Sequence, residues 1–103
     1  MTAIAIAHVD VEKTSPKRGG SAKTSLSSVT VTFSGPLRRG TLRVTGPDGK
    51  VSIGKGGRDP RKISRLIAEL KRSKPAGRYR AKWTLVAADG HEQHGSFRFR
   101  LRR

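Results

Sequence analysis

Apolar and polar residues alternate with a period of two over most of this chain, the spacing of strands that bury one face. From Ser28 to Phe33, Val29, Val31 and Phe33 fall on one side and Thr30 and Thr32 on the other. Ser34-Gly35-Pro36 ends that run. Thr41 to Thr45 begins another, with Leu42 and Val44 inward and Arg43 outward. Gly46-Pro47-Asp48-Gly49 is turn chemistry, so Thr41–Thr45 and Lys50–Ile53 read as a hairpin, followed by a loop from Gly54 to Asp59. Arg78 to Ala87 places Tyr79, Ala81, Trp83, Leu85 and Ala87 on one face. Ser96 to Arg102 sets Phe97, Phe99 and Leu101 against Arg98, Arg100 and Arg102. Tyr79 and Trp83 read as core, since large aromatics at alternating spacing are packing residues.

Two segments resist this reading. In residues 61–72, Ile63, Leu66, Ile67 and Leu70 fit a helical stripe, while Leu66, Ala68 and Leu70 fit a strand. At the start, Ala3 to Ala7 is a short apolar run ending in Ala5-Ile6-Ala7, the small-x-small pattern cleaved by signal peptidase, directly before His8. It reads as the stub of a signal peptide or an N-terminal extension over residues 1–7, with one domain from 8 to 103. Residues 4 to 9 also suit a first edge strand. Thr14-Ser15-Pro16 and Lys17 to Ser21 then form a polar break. About seven short strands with regular turn signals describe an all-β sandwich.

Composition narrows the picture. Apolar residues make up 33% and aromatics 5% of 103 residues, so the core is thin and single. There is no cysteine, which removes disulfides, thiolate metal sites and thiol catalysis. No stretch approaches the ~18 apolar residues of a membrane span. Charge is the loudest feature: 23 Lys+Arg against 7 Asp+Glu give +16, which favours anionic partners.

Candidate chemistry is sparse. No Ser lies in a nucleophile-elbow setting and no H-E-x-x-H occurs. Gly54-Lys55-Gly56-Gly57 lacks the Lys-Ser/Thr pair and helix start of a phosphate loop. An acid–base enzyme is therefore poorly supported. Asp89-Gly90-His91 stands out, because residues two apart in an extended segment share a face roughly 6.5 Å apart. Imidazole and carboxylate together suit copper(II), nickel(II) or zinc(II). An ordinary Asp-Gly turn followed by an exposed His accounts for the same tripeptide.

The stretch Gly77 to His91, with Tyr79, Trp83 and Asp89-Gly90-His91, and its continuation Gly95-Ser96-Phe97-Arg98-Phe99 resemble the C-terminal half of CopC-like copper resistance proteins. His8 followed by Ser15-Pro16, and Val29 to Ser34, resemble that family's mature start and second strand. The resemblance implies an Ig-like, cupredoxin-like Greek-key sandwich of the cell envelope, periplasmic or secreted. It also implies a single Cu(II) ligated by His8, Asp89 and His91, with the α-amine of a cleaved N-terminus at His8 as a further donor. It implies carriage rather than catalysis, a monomer, and a CopD-like membrane copper transporter as partner. It favours a strand over residues 61–72. The only methionine is Met1, so no Met-rich copper(I) site is expected. His94 has no counterpart in the family pattern and reads as a solvated loop residue.

The rival reading makes the charge the function. If the last two strands pair, Arg78, Arg80 and Lys82 lie beside Arg98, Arg100 and Arg102 in a ridge that binds polyanions, nucleic acid or an anionic envelope surface. Outward aromatics to stack bases are missing, so specific nucleic-acid recognition is not expected.

Overall fold

The computed structural model describes residues 8–48 and 52–103. They form strands β1 (Val11–Ser15), β2 (Ser21–Lys23), β3 (Ser28–Phe33), β4 (Leu37–Thr45), β5 (Ser52–Arg58), β6 (Arg65–Leu70), β7 (Gly77–Ala87) and β8 (Glu92–Arg102), and no helix. One continuous sheet runs in the order β1-β3-β6-β5-β4-β7-β8-β2 and curls into a sandwich. Every pairing is antiparallel except the short β2–β8 contact.

The core lies where the alternation put it. Val29, Val31 and Phe33 of β3 and Leu66 and Ala68 of β6 meet Leu42 and Val44 of β4, Tyr79, Ala81 and Leu85 of β7, and Phe97, Phe99 and Leu101 of β8. Burying each large side chain contributes roughly 1.5–3 kcal/mol. Trp83 is only half-buried and closes the core edge-on against Phe33, ring centroids 5.0 Å apart at 78°. The Tyr79 ring stacks on Phe99, and its hydroxyl donates to the Pro75 carbonyl at 2.5 Å. That bond ties the β6–β7 connection to the core.

Residues 61–72 contain strand β6. Leu66 and Ala68 are buried, Leu70 is half-buried, and Ile63, on which the helical stripe depended, is 55% exposed in the preceding turn. Four other expectations change. Gly54–Asp59 is not a loop, because Gly54 to Arg58 belong to β5 and pair with both β4 and β6. A Cβ on Gly56 would lie 1.8 Å from the Ile67 carbonyl oxygen, so the sheet's curl excludes any side chain there. The polar break has structure at both ends: Thr14 and Ser15 belong to β1, and Ser21 opens β2. The first strand of the described residues starts at Val11; residues 8–10 are not strand, and residues 4–7 lie outside the described residues. The described residues form eight strands where about seven were expected.

Asp59 is the one fully buried carboxylate among the described residues. It accepts from the Arg61 backbone N–H at 2.9 Å and pairs with the Arg65 guanidinium at 2.9 Å and with Arg61 at 3.5 Å. Its backbone N–H donates to the Arg65 carbonyl. The Arg61 N–H, helped by the Arg65 bond and both guanidinium charges, holds its carboxyl below the ordinary 3.8, although burial opposes the shift. One carboxylate thus closes the β5–β6 turn.

Two outcomes follow. Gly56→Ala should lower stability by roughly 1–3 kcal/mol or more, read as a lower urea midpoint. Asp59→Asn should lower Tm at neutral pH. Because a depressed carboxyl stabilises above its unfolded value and loses that contribution as pH falls through its folded one, the Tm gap to the parent should narrow below 3.8.

Candidate metal centre

The β7–β8 turn carries the motif. Ala87 N–H donates to the His91 carbonyl and Gly90 N–H to the Ala87 carbonyl, both at 2.9 Å. Gly90 sits at φ +90°, which a side chain disfavours. Asp89 and His91 therefore meet through a tight turn rather than along one face of an extended strand. The Asp89 Oδ1 accepts from the His91 backbone N–H at 3.0 Å, and Oδ2 lies 2.9 Å from His91 Nδ1. The His91 N–H is the largest influence holding the Asp89 carboxyl below 3.8; partial burial opposes it, and the charges of His91 and His8 add to it.

His8 arrives from the other end of the chain. Its ring stacks on His91 with centroids 6.3 Å apart and planes 29° from parallel. It is held there by its neighbours. The Val9 side chain is buried. Val9 N–H donates to Gln93 Oε1 at 3.1 Å, and Gln93 Nε2 donates back to the Val9 carbonyl at 2.9 Å. On the far side, Asp10 N–H donates to Ser34 Oγ and Ser34 N–H to the Asp10 carbonyl, both at 2.8 Å. Residues 9 and 10 are thus clamped between β8 and the end of β3, and His8 is delivered onto the turn.

The structure brings all three predicted residues to one corner. As the side chains lie, no three His, Cys, Asp or Glu groups of the described residues surround a common point. The donor chemistry still fits a borderline metal. Two imidazoles on one ion with ~2.0 Å metal–nitrogen bonds place ring centroids about 4.5 Å apart side by side and about 6.3 Å apart end to end. This stacked pair at 6.3 Å would therefore reorient to share an ion. The Asp89–His91 contact is the carboxylate–imidazole pairing that orients metal-binding histidines. Each Asp89 oxygen also keeps a further lone pair.

Two residues were misjudged from sequence. Gln93 was overlooked, although its position two residues after His91 signals a shared side of the chain. His94 is not in a loop; it is an exposed residue of β8, opposite Thr84 on the outer face.

Comparison with known proteins now bears on this corner. The family model for the CopC domain matches residues 11–102. The chain belongs to the CopC family. A search of the curated proteins finds no match. Among solved structures, the chain is similar to CopC from Methylosinus trichosporium OB3b, at 20% identity and a TM-score of 0.80, covering 91% of this chain and 93% of that one. It is also similar to PcoC, a methionine-rich copper resistance protein from Escherichia coli, at 20% identity and a TM-score of 0.75, covering 93% of this chain and 100% of that one. At this identity the likeness shows the shared fold, a CopC-type sandwich.

The clamp makes its own prediction. Gln93→Ala should free Val9, raising the hydrogen-exchange rate of its amide about tenfold, with little change in Tm. Exchange within β3 and β6 should stay as it was.

Proposed function

We propose that this chain is a copper(II) carrier or buffer of the cell envelope, serving copper homeostasis or resistance, and that its cargo binds at His8, Asp89 and His91. The observation that carries this reading is the stacking of His8 on His91, with Asp89 already bonded to the His91 ring. Membership of the CopC family supports copper as the ion. Imidazole nitrogens with a carboxylate oxygen are a donor set for copper(II), and the sole methionine, Met1, supplies no cluster of soft thioethers for copper(I). His8 contributes its imidazole and, once residues 1–7 are removed, an α-amine. His91 contributes a ring nitrogen and Asp89 a carboxylate oxygen, which reach one ion together when that ion replaces the Asp89 Oδ2–His91 Nδ1 contact.

The chain releases metal without chemical change, so its role is carriage and not catalysis. It works as a monomer in the periplasm or outside the cell, passing copper to a CopD-like membrane transporter. In this reading the copper-binding domain runs from 8 to 103.

The test compares the full chain with one starting at His8, using competition against a chromogenic copper(II) chelator. The trimmed chain should take up one copper(II) with a nitrogen-rich tetragonal spectrum, and the longer one should bind distinctly more weakly. His91→Ala should weaken both more than Asp89→Ala, and His94→Ala should change little. Affinity should fall as the pH is lowered, because protons compete with the metal for the ligand nitrogens. Stoichiometric binding that survives loss of both His8 and His91 would place the site elsewhere.

A further inference from the structure

The strand register turns the alternating cations of β7 and β8 into a surface. Arg78 stands directly across from Arg100, and Arg80 from Arg98. On the flanks Lys82 faces Arg43 of β4, and Arg102 faces Lys23 of β2. All eight side chains are exposed. None of the ion pairs among the described residues involves one of them; those pairs join Asp59 to Arg61 and Arg65, and Asp89 to His91. The outward positions of β3 and β6 differ, being Ser28, Thr30, Ile67 and Glu69, with Arg65 committed to Asp59. The outer face of β4, β7, β8 and β2 thus gathers eight of the 23 Lys and Arg into one array.

Like charges directly opposite on neighbouring strands destabilise a sheet. The eight cations span roughly 20 Å along the strands and about 14 Å across them. Neighbours on that grid lie within the ~8 Å over which salt at physiological strength leaves charges unscreened. Four like-charged pairs in a row cost stability, and the ion pairs Asp59–Arg61, Asp59–Arg65 and Asp89–His91 do not offset that cost. An anionic surface laid on the face would.

The shape of the face selects among anionic partners. Its cations form a two-dimensional array over four strands, not a groove that tracks a single phosphate backbone. Its outward positions carry no Phe, Tyr or Trp to stack a base, and Trp83, which borders the cleft beside Arg43, Lys82 and His94, is half-buried with its ring against Phe33. Open clefts lie between the arginines, one of about 330 Å³ lined by Arg78, Arg80 and Arg98 beside Gly46, and one of about 220 Å³ lined by Arg78, Arg98 and Arg100 beside Gly19. Each is lined by three arginines, and guanidinium binds phosphate bidentately. Among the described residues no large exposed apolar side chain lies beside them, which makes the binding electrostatic and superficial. We propose that the outer face of β4, β7, β8 and β2 docks the protein on a membrane surface rich in anionic phospholipid headgroups. The inference is independent of the copper reading.

The experiment uses the metal-free full chain and vesicles of phosphatidylcholine with or without phosphatidylglycerol, read by co-sedimentation. Binding should require phosphatidylglycerol and fade as salt rises from ~0.05 to ~0.5 M. R80Q/R98Q should lower partitioning about 25-fold, roughly fivefold per cation, whereas K62Q/R72Q, equal in charge change but off the face, should lower it far less. R98E should weaken vesicle binding while raising Tm, because it replaces a repulsive cross-strand pair with an attractive one. Equal loss from the two double variants, or binding to phosphatidylcholine alone, would overturn the proposal. So would duplex DNA that binds more tightly than the vesicles at equal phosphate concentration through the same arginines, which would make nucleic acid the partner. Copper(II) uptake by the R80Q/R98Q variant should be unchanged, so failure here leaves the metal corner standing.

Discussion

The antiparallel register of β7 on β8 is the constraint on which the rest depends. Ala81 lies opposite Phe97 and Tyr79 opposite Phe99, so both strands turn their aromatic and aliphatic residues to one side. Slipping that register by one residue would carry Phe97, Phe99 and Leu101 into water and the arginines into the core, because side chains alternate with a period of two. The same pairing closes the turn that sets Asp89 on His91, and it places Gln93 where it can grip Val9. Core, corner and charged face are three readings of one pairing.

Where burial alone decides, the chain was legible. The inward residues of β3, β4, β7 and β8 could be named from their alternation, since a sheet with one face in water leaves no other place for them. The three proposed ligands could be named only through likeness to the CopC pattern. What stayed hidden was set by contacts between distant segments. Glycine usually weakens a strand, so Gly54 to Gly57 read as loop. In this fold the missing side chains let β5 lie against β6, a fact visible only once Ile67 is in place. Likewise β2 is three residues of no distinctive pattern, ordered by the edge of β8.

The corner shows the same division. Asp89 and His91 are neighbours in sequence, and their bond is local. His8 reaches them only because the Gln93 and Ser34 clamps hold the two residues after it. Those clamps are backbone hydrogen bonds to ordinary polar side chains, which carry no signature of their own. A site assembled from chain ends thus rests on residues that bind nothing themselves.

The segment around β2 has a consequence of a different kind. Arg18 donates to the Ser96 carbonyl, Gly19 N–H to that of Arg98, and Thr24 N–H to that of Arg102, while Arg100 N–H donates to the Gly20 carbonyl. From Ser96 to Arg102 the rim of β8 is therefore already occupied by the protein's own chain. A long final strand left open at its rim is a template on which a second molecule can continue the sheet, the first step toward fibrous assembly. Here a stretch with too little pattern to be recognised as a strand acts as a hem, and along that length the sheet has no edge on which to grow.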